Sequence, residues 1–102
     1  MITKEMIRKE LEEVRYYYSR KKLFDKATDS VGKNDIIGVV EKYNRAICEA
    51  KPRLYEVYIS VYIDGYTYEA AAADLGYSPS YIYKTNRKVL EFLYQYFNKE
   101  AV

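Results

Sequence analysis

The sequence has no histidine, no tryptophan and only one cysteine among its 102 residues. Without histidine there is no Ser–His or Cys–His pair that would activate a nucleophile. The single cysteine, Cys48, excludes an internal disulfide and is typical of a protein in a reducing compartment. One cysteine and scattered acidic residues also supply no cluster of metal ligands. We therefore expect neither an enzyme nor a protein that needs a metal or another cofactor.

Long apolar segments are also missing. No stretch approaches the ~20 consecutive apolar residues that a membrane-spanning helix needs. The first residues, MITKEMIRKELEE, contain acidic side chains and lack the apolar run of a signal peptide. These absences predict a soluble, cytoplasmic protein without a membrane partner.

Basic and acidic residues nearly balance over the whole chain, but they are unevenly distributed along the sequence. The sequence has 17 basic and 15 acidic residues, so its formal net charge is only +2. Between Gly76 and Leu90, however, the charged residues are Lys84, Arg87 and Lys88, with no acid among them. This local excess of positive charge is more informative about a partner than the net charge is.

Five helices are predicted from apolar residues at helical spacing and from the breakers between them, so the expected fold class is all-α. The first helix extends from Thr3, its N-cap, to about Ala27. Its apolar stripe comprises Ile7, Leu11, Val14, Tyr17 and Tyr18. That stripe has two interpretations: it folds back onto the second and third helices, or it forms the seam of a homodimer.

One domain is expected to span residues 1–102, in which residues 1–30 form the first helix and a turn and residues 34–64 form core helices. The turn has the sequence TDSVGKND, and its Asn34 is predicted to cap the second helix. The third helix begins at Pro52 and ends at a left-handed Gly65. The alternation in VYISVY is also compatible with a strand, but the start and stop signals around it favour a helix.

The stretch TYEAAAADLGYSPSYIY predicts two helices that are joined by a tight turn. Thr67 caps a short fourth helix, which ends at Gly76. Ser78 then caps the fifth helix, which has Pro79 at its first position. Ala72 is small enough to let the fifth helix cross the fourth at close range. The pattern is that of a helix-turn-helix motif.

The motif over residues 66–98 resembles the sigma-like helix-turn-helix of sigma factor region four. The matching spine is T-x-x-x-x-A-x-x-L-G-x-S-x-x-x-[VI], here Thr67, Ala72, Leu75, Gly76, Ser78 and Ile82. Apolar Val89 and Leu93 follow seven and eleven residues after the last of these. Ala70 departs from the glutamate usual in the motif, so Thr67 lacks a capping-box partner. A long charged helix before such a motif also resembles phage transcriptional regulators of the RinA and ArpU type.

The resemblance implies a sequence-specific transcriptional regulator whose fifth helix enters the major groove of double-stranded DNA. Lys84 and Arg87 are then expected to donate to guanine edges, and Lys88 to a phosphate. The complete set of implied DNA contacts is Thr67, Tyr68, Ser78, Pro79, Ser80, Tyr81, Tyr83, Lys84, Arg87 and Lys88. Tyr81 is equally compatible with the core.

Two other classes of protein share these features. A phage DNA-packaging subunit of the small terminase type also uses a helix-turn-helix, and a helical adaptor binds only protein. A single recognition helix buries only about 600–1,000 Å² on DNA, which is too little for a tight site. RNA polymerase, or a second copy bound through the first helix, is therefore expected as a further partner.

Overall fold

The computed structural model describes residues 1–24 and 35–100. No β-strand occurs in these two ranges, which confirms the all-α fold class. The helices are α1 (Lys4–Ser19), α2 (Asp35–Ile47), α3 (Pro52–Tyr58), α4 (Tyr68–Leu75) and α5 (Pro79–Glu100), and a π-helical turn (Ile59–Ile63) continues α3. The predicted turn with its cap Asn34 lies outside the described residues, apart from its last residue.

The first helix begins where it was predicted to begin and ends earlier. Thr3 Oγ1 accepts a hydrogen bond from the Met6 N–H at 3.1 Å, so the N-cap is confirmed. The prediction that the helix continues to about Ala27 is wrong, because Arg20 leaves the helical conformation (φ −128°, ψ 27°). A separate helical turn at 21–24 then brings Phe24 back against the ring of Tyr17, at 5.5 Å between centroids. The chain changes direction after Ser19, and this change lets the Phe24 ring pack against α1.

The apolar stripe of α1 lies inside the protein's own core. Leu11 is only 1% exposed, and the stripe packs against apolar residues of α2 and α5, among them Val40 and Leu93. Where the start of α1 meets the end of α5, the side-chain amide of Asn98 exchanges hydrogen bonds with the backbone of Ile2. The stripe therefore folds back. Four of its five residues are buried and only Tyr18 stays partly exposed, which leaves little apolar surface for a homodimer, the other interpretation.

The third helix lies between two apolar clusters, which explains its ambiguous sequence pattern. Tyr58 belongs to the main core with α1 and α2, whereas Val57 and Val61 pack against the helix-turn-helix. Burial on both sides produces apolar positions that do not follow a single helical stripe. The segment is helical as predicted, and Gly65 is left-handed (φ 73°). The π-helical turn before it was not predicted.

Alkaline pH is expected to destabilise this fold through its buried tyrosines. Burial raises the pKa of Tyr62 to about 12, and burial also raises the pKa of Tyr43 and of Tyr58 above the usual value. A pKa that is higher in the folded state contributes stability below about pH 10, and this stability is lost as the pH rises towards 12. For Tyr62 the loss reaches about 2 kcal/mol near pH 12.

Denaturant unfolding over this pH range measures that loss. The free energy of unfolding should fall between about pH 9 and pH 12. For Tyr62→Phe it should fall less steeply, because phenylalanine at this position has no hydroxyl group to ionise. Equal declines for Tyr62→Phe and the unmodified protein would contradict the assignment.

Candidate nucleic-acid interface

The predicted caps and turn of the helix-turn-helix are all present. Thr67 Oγ1 accepts from the Ala70 N–H at 3.1 Å, and Ser78 Oγ accepts from the Tyr81 N–H at 3.1 Å. Gly76 is left-handed (φ 78°), a conformation that costs a residue with a Cβ about 1–2 kcal/mol. The two capping bonds set where α4 and α5 begin, and the left-handed Gly76 sets where α4 ends.

Small residues allow α4 and α5 to pack closely. Ala71 and Ala72 are 0% and 2% exposed, whereas Ala70 and Ala73 at the two ends of the alanine run are exposed. The two buried alanines share a cluster with Ile82 of α5, with Val57 of α3 and with Val61 of the π-helical turn. The packing role of Ala72 was predicted from the motif, and that of Ala71 was not.

The first half of α5 presents a basic outer face. Ser80, Lys84, Arg87 and Lys88 are exposed and follow one another at i, i+4, i+7 and i+8, so they share one side of the helix. None of the three basic residues forms a salt bridge with a carboxylate in the part of the chain that the structure describes. The opposite side of α5 carries the core residues. The predicted basic contacts are therefore together and accessible.

The predicted aromatic contacts divide into two groups. Tyr83 is 54% exposed, and its ring lies 6.1 Å from the ring of the half-buried Tyr68. Tyr81 is half-buried instead and stacks on Tyr77 at 4.3 Å between centroids, so much of its ring packs over the turn. Thr67, Ser78 and Pro79, the remaining predicted contacts, are exposed.

A buried asparagine of α5, which sequence reasoning missed, connects this helix to α4 and to the π-helical turn. Asn86 is only 6% exposed. Its amide nitrogen donates to the Tyr68 hydroxyl at 3.0 Å, and its amide oxygen accepts from the Tyr62 hydroxyl at 2.8 Å. The bond to Tyr68 orients the start of α4 relative to the basic face of α5, and the bond to Tyr62 ties α5 to the π-helical turn that follows α3. The sequence holds no signal for this network beyond a polar residue on the buried side of α5.

The first helix adds basic residues beside α5, which sequence reasoning also missed. Lys4 and Arg8 line a cleft of about 380 Å³ together with Lys84, Arg87 and Lys88 of α5. Lys4 bonds to Glu91 at 2.6 Å, and this contact lowers the pKa of the Glu91 carboxyl. The spacing of four between Lys4 and Arg8 predicts a shared helix face, but it does not predict that this face borders α5.

No family model, curated protein or solved structure matches this chain. The likeness to sigma-like motifs therefore rests on the sequence pattern. Within residues 1–24 and 35–100, no three His, Cys, Asp or Glu side chains are grouped so that they could hold a metal ion. Over the same ranges no helix has both the length and the apolar character needed to cross a membrane.

Proposed function

We propose that this protein is a sequence-specific, DNA-binding regulator of transcription. The observation that carries the proposal is the basic outer face of α5, which sits on a helix-turn-helix with its caps and turn intact. Regulation of transcription is suggested by the sigma-like spine of the motif. A partner such as RNA polymerase supplements the small contact area that one such helix offers.

The dimensions of α5 fit this role. An α-helix with its side chains is about 10–12 Å across, and the major groove of B-DNA is about 12 Å wide. Lys84 and Arg87 then face base edges, where Arg and Lys recognise guanine O6 and N7. Lys88 lies closer to the side of the helix and contacts phosphate, while Thr67 and Tyr68 at the start of α4 contact the DNA backbone.

Selection of bound duplexes from random DNA, followed by affinity measurements at several salt concentrations, tests the proposal. Neutralisation of about 3–5 phosphates predicts a slope of roughly −3 to −5 for log affinity against log salt. Affinity that stays constant between low and physiological salt would reject DNA binding as the function.

Substitution on the basic face should separate the two kinds of contact. Lys84→Ala or Arg87→Ala is expected to cost about 1–3 kcal/mol on the preferred duplex and to relax base choice at one position. Lys88→Ala should weaken binding to all duplexes alike. Lys99→Ala is the matched control, because Lys99 is exposed on the same helix about 22 Å from Lys84. If Lys99→Ala weakens binding as much as Lys84→Ala does, the basic face has no special role.

A further inference from the structure

We infer that α1 is a second DNA-contacting element, whose Arg8 and Arg15 bind phosphates of a strand that borders the groove occupied by α5. This inference rests on the proposed function and extends it to a helix outside the motif. Phosphate contacts from α1 add affinity and orient the protein without reading sequence.

The first helix runs antiparallel beside α5. Ile2 contacts Asn98, Lys4 contacts Glu91, and Arg8 shares a cleft with Arg87. Residues later in α1 therefore lie beside residues earlier in α5. This direction places Arg8, which is exposed, beside the half of α5 that carries the basic face.

Helix packing distances place α1 over a DNA strand. Packed helices have axes about 8–10 Å apart. In a major groove about 12 Å wide, the phosphates lie roughly 6 Å from the groove centre. A helix packed beside α5 therefore lies over one of the bordering strands. Exposed cations on that helix meet phosphates instead of base edges.

Arg15 is held in position for the same strand. Its Nη2 donates to the Gly65 carbonyl oxygen at 2.9 Å, which leaves most of the five guanidinium N–H donors for another acceptor. Arg15 borders a cleft of about 490 Å³ together with Thr67, Tyr68 and Arg87. Thr67 and Tyr68 are the proposed backbone contacts of α4. Arg15 thus extends a phosphate-binding edge that the helix-turn-helix itself begins.

A carboxylate of α1 itself opposes the proposed contacts. Glu12 lies between Arg8 and Arg15 on α1 and lines the same cleft. Its negative charge repels a nearby phosphate. Removal of this charge should therefore strengthen DNA binding, which is an effect that loss of folding cannot mimic.

The test compares Arg8→Ala with Lys9→Ala on the selected duplex and on an unrelated one. Arg8 has no hydrogen bond or ion pair within residues 1–24 and 35–100, so its removal should leave the fold intact. Lys9 is exposed and points about 100° away around α1. Loss of one phosphate contact should reduce the salt slope by about 0.9 and weaken binding about fivefold at 0.15 M salt on both duplexes. Lys9→Ala should change neither quantity appreciably, and Glu12→Gln should tighten binding.

The outcomes separate this inference from the proposed function. If Arg8→Ala matches Lys9→Ala and Glu12→Gln has no effect, while Lys84→Ala and Arg87→Ala still weaken binding, the role of α1 is overturned and DNA binding by α5 stands. If the unmodified protein binds no duplex, both are overturned. A uniform loss with Arg8→Ala and a gain with Glu12→Gln supports the phosphate contact.

Discussion

Leu11→Ala is expected to lower the free energy of unfolding by about 2–5 kcal/mol without changing the mass of the native particle. Leu11 is 1% exposed in the core shared by α1, α2 and α5, so truncation removes buried apolar contacts and leaves a cavity. Denaturant unfolding gives the energy, and light scattering on the same sample gives the mass.

Met6→Ala is the control for this substitution, because Met6 lies on the same helix and is 48% exposed. We expect its effect to stay within about 0.5 kcal/mol. A Leu11→Ala variant that keeps its stability but falls from a dimer to a monomer would contradict the intramolecular packing of α1. It would restore the apolar stripe as an interface between copies.

Ala72→Leu is expected to destabilise the protein by about 1–3 kcal/mol or more, because the larger side chain overpacks the buried cluster that Ala72 shares with Ile82 of α5. Ala72 is 2% exposed, and its carbonyl oxygen accepts from the N–H groups of both Gly76 and Tyr77 at 2.9 Å. A shift of α4 at this residue would therefore also disturb the turn. Each kcal/mol corresponds to about 4–8 °C in melting temperature for a domain of this size.

The neighbouring Ala73→Leu is a matched control, since it adds the same side chain at an exposed position of the same helix. We expect a change within about 0.5 kcal/mol. Equal melting temperatures for Ala72→Leu and Ala73→Leu would show that α4 and α5 do not meet at Ala72. If Ala72→Leu lowers the melting temperature and Ala73→Leu does not, the DNA affinity of Ala72→Leu, measured below its melting temperature, reports whether the geometry of the motif matters for binding.

The predictions that proved right depend on atoms that are close in sequence. Thr3, Thr67 and Ser78 each accept a hydrogen bond from an N–H three residues ahead. Gly65 and Gly76 each adopt a conformation that only glycine takes without strain. All the atoms in each of these interactions belong to residues only a few positions apart, so the sequence is enough to predict them. The basic face of α5 was predictable for the same reason, because helical spacing alone puts its residues on one side.

The predictions that failed or were missing depend on contacts across the fold. The first helix ends at Ser19 although no breaker is present, and Phe24 then packs against Tyr17. The hydrogen bonds of Asn86 join Tyr62 and Tyr68, which belong to two other segments. Neither feature has a local pattern, because a side chain that satisfies a distant partner resembles any other residue of its type.

The sequence by itself determined the helices of the motif, their caps, the turn and the basic face of α5, because each depends on interactions within a few residues. Only the tertiary structure decided what α1 does. Its apolar stripe is compatible with a dimer or with a folded core, and burial of Leu11 against residues more than 80 positions away, such as Leu93, selects the core. The same packing brings Arg8 beside Arg87. Helix-to-helix packing is set by the total apolar surface that the chain can remove from water, which no single segment specifies.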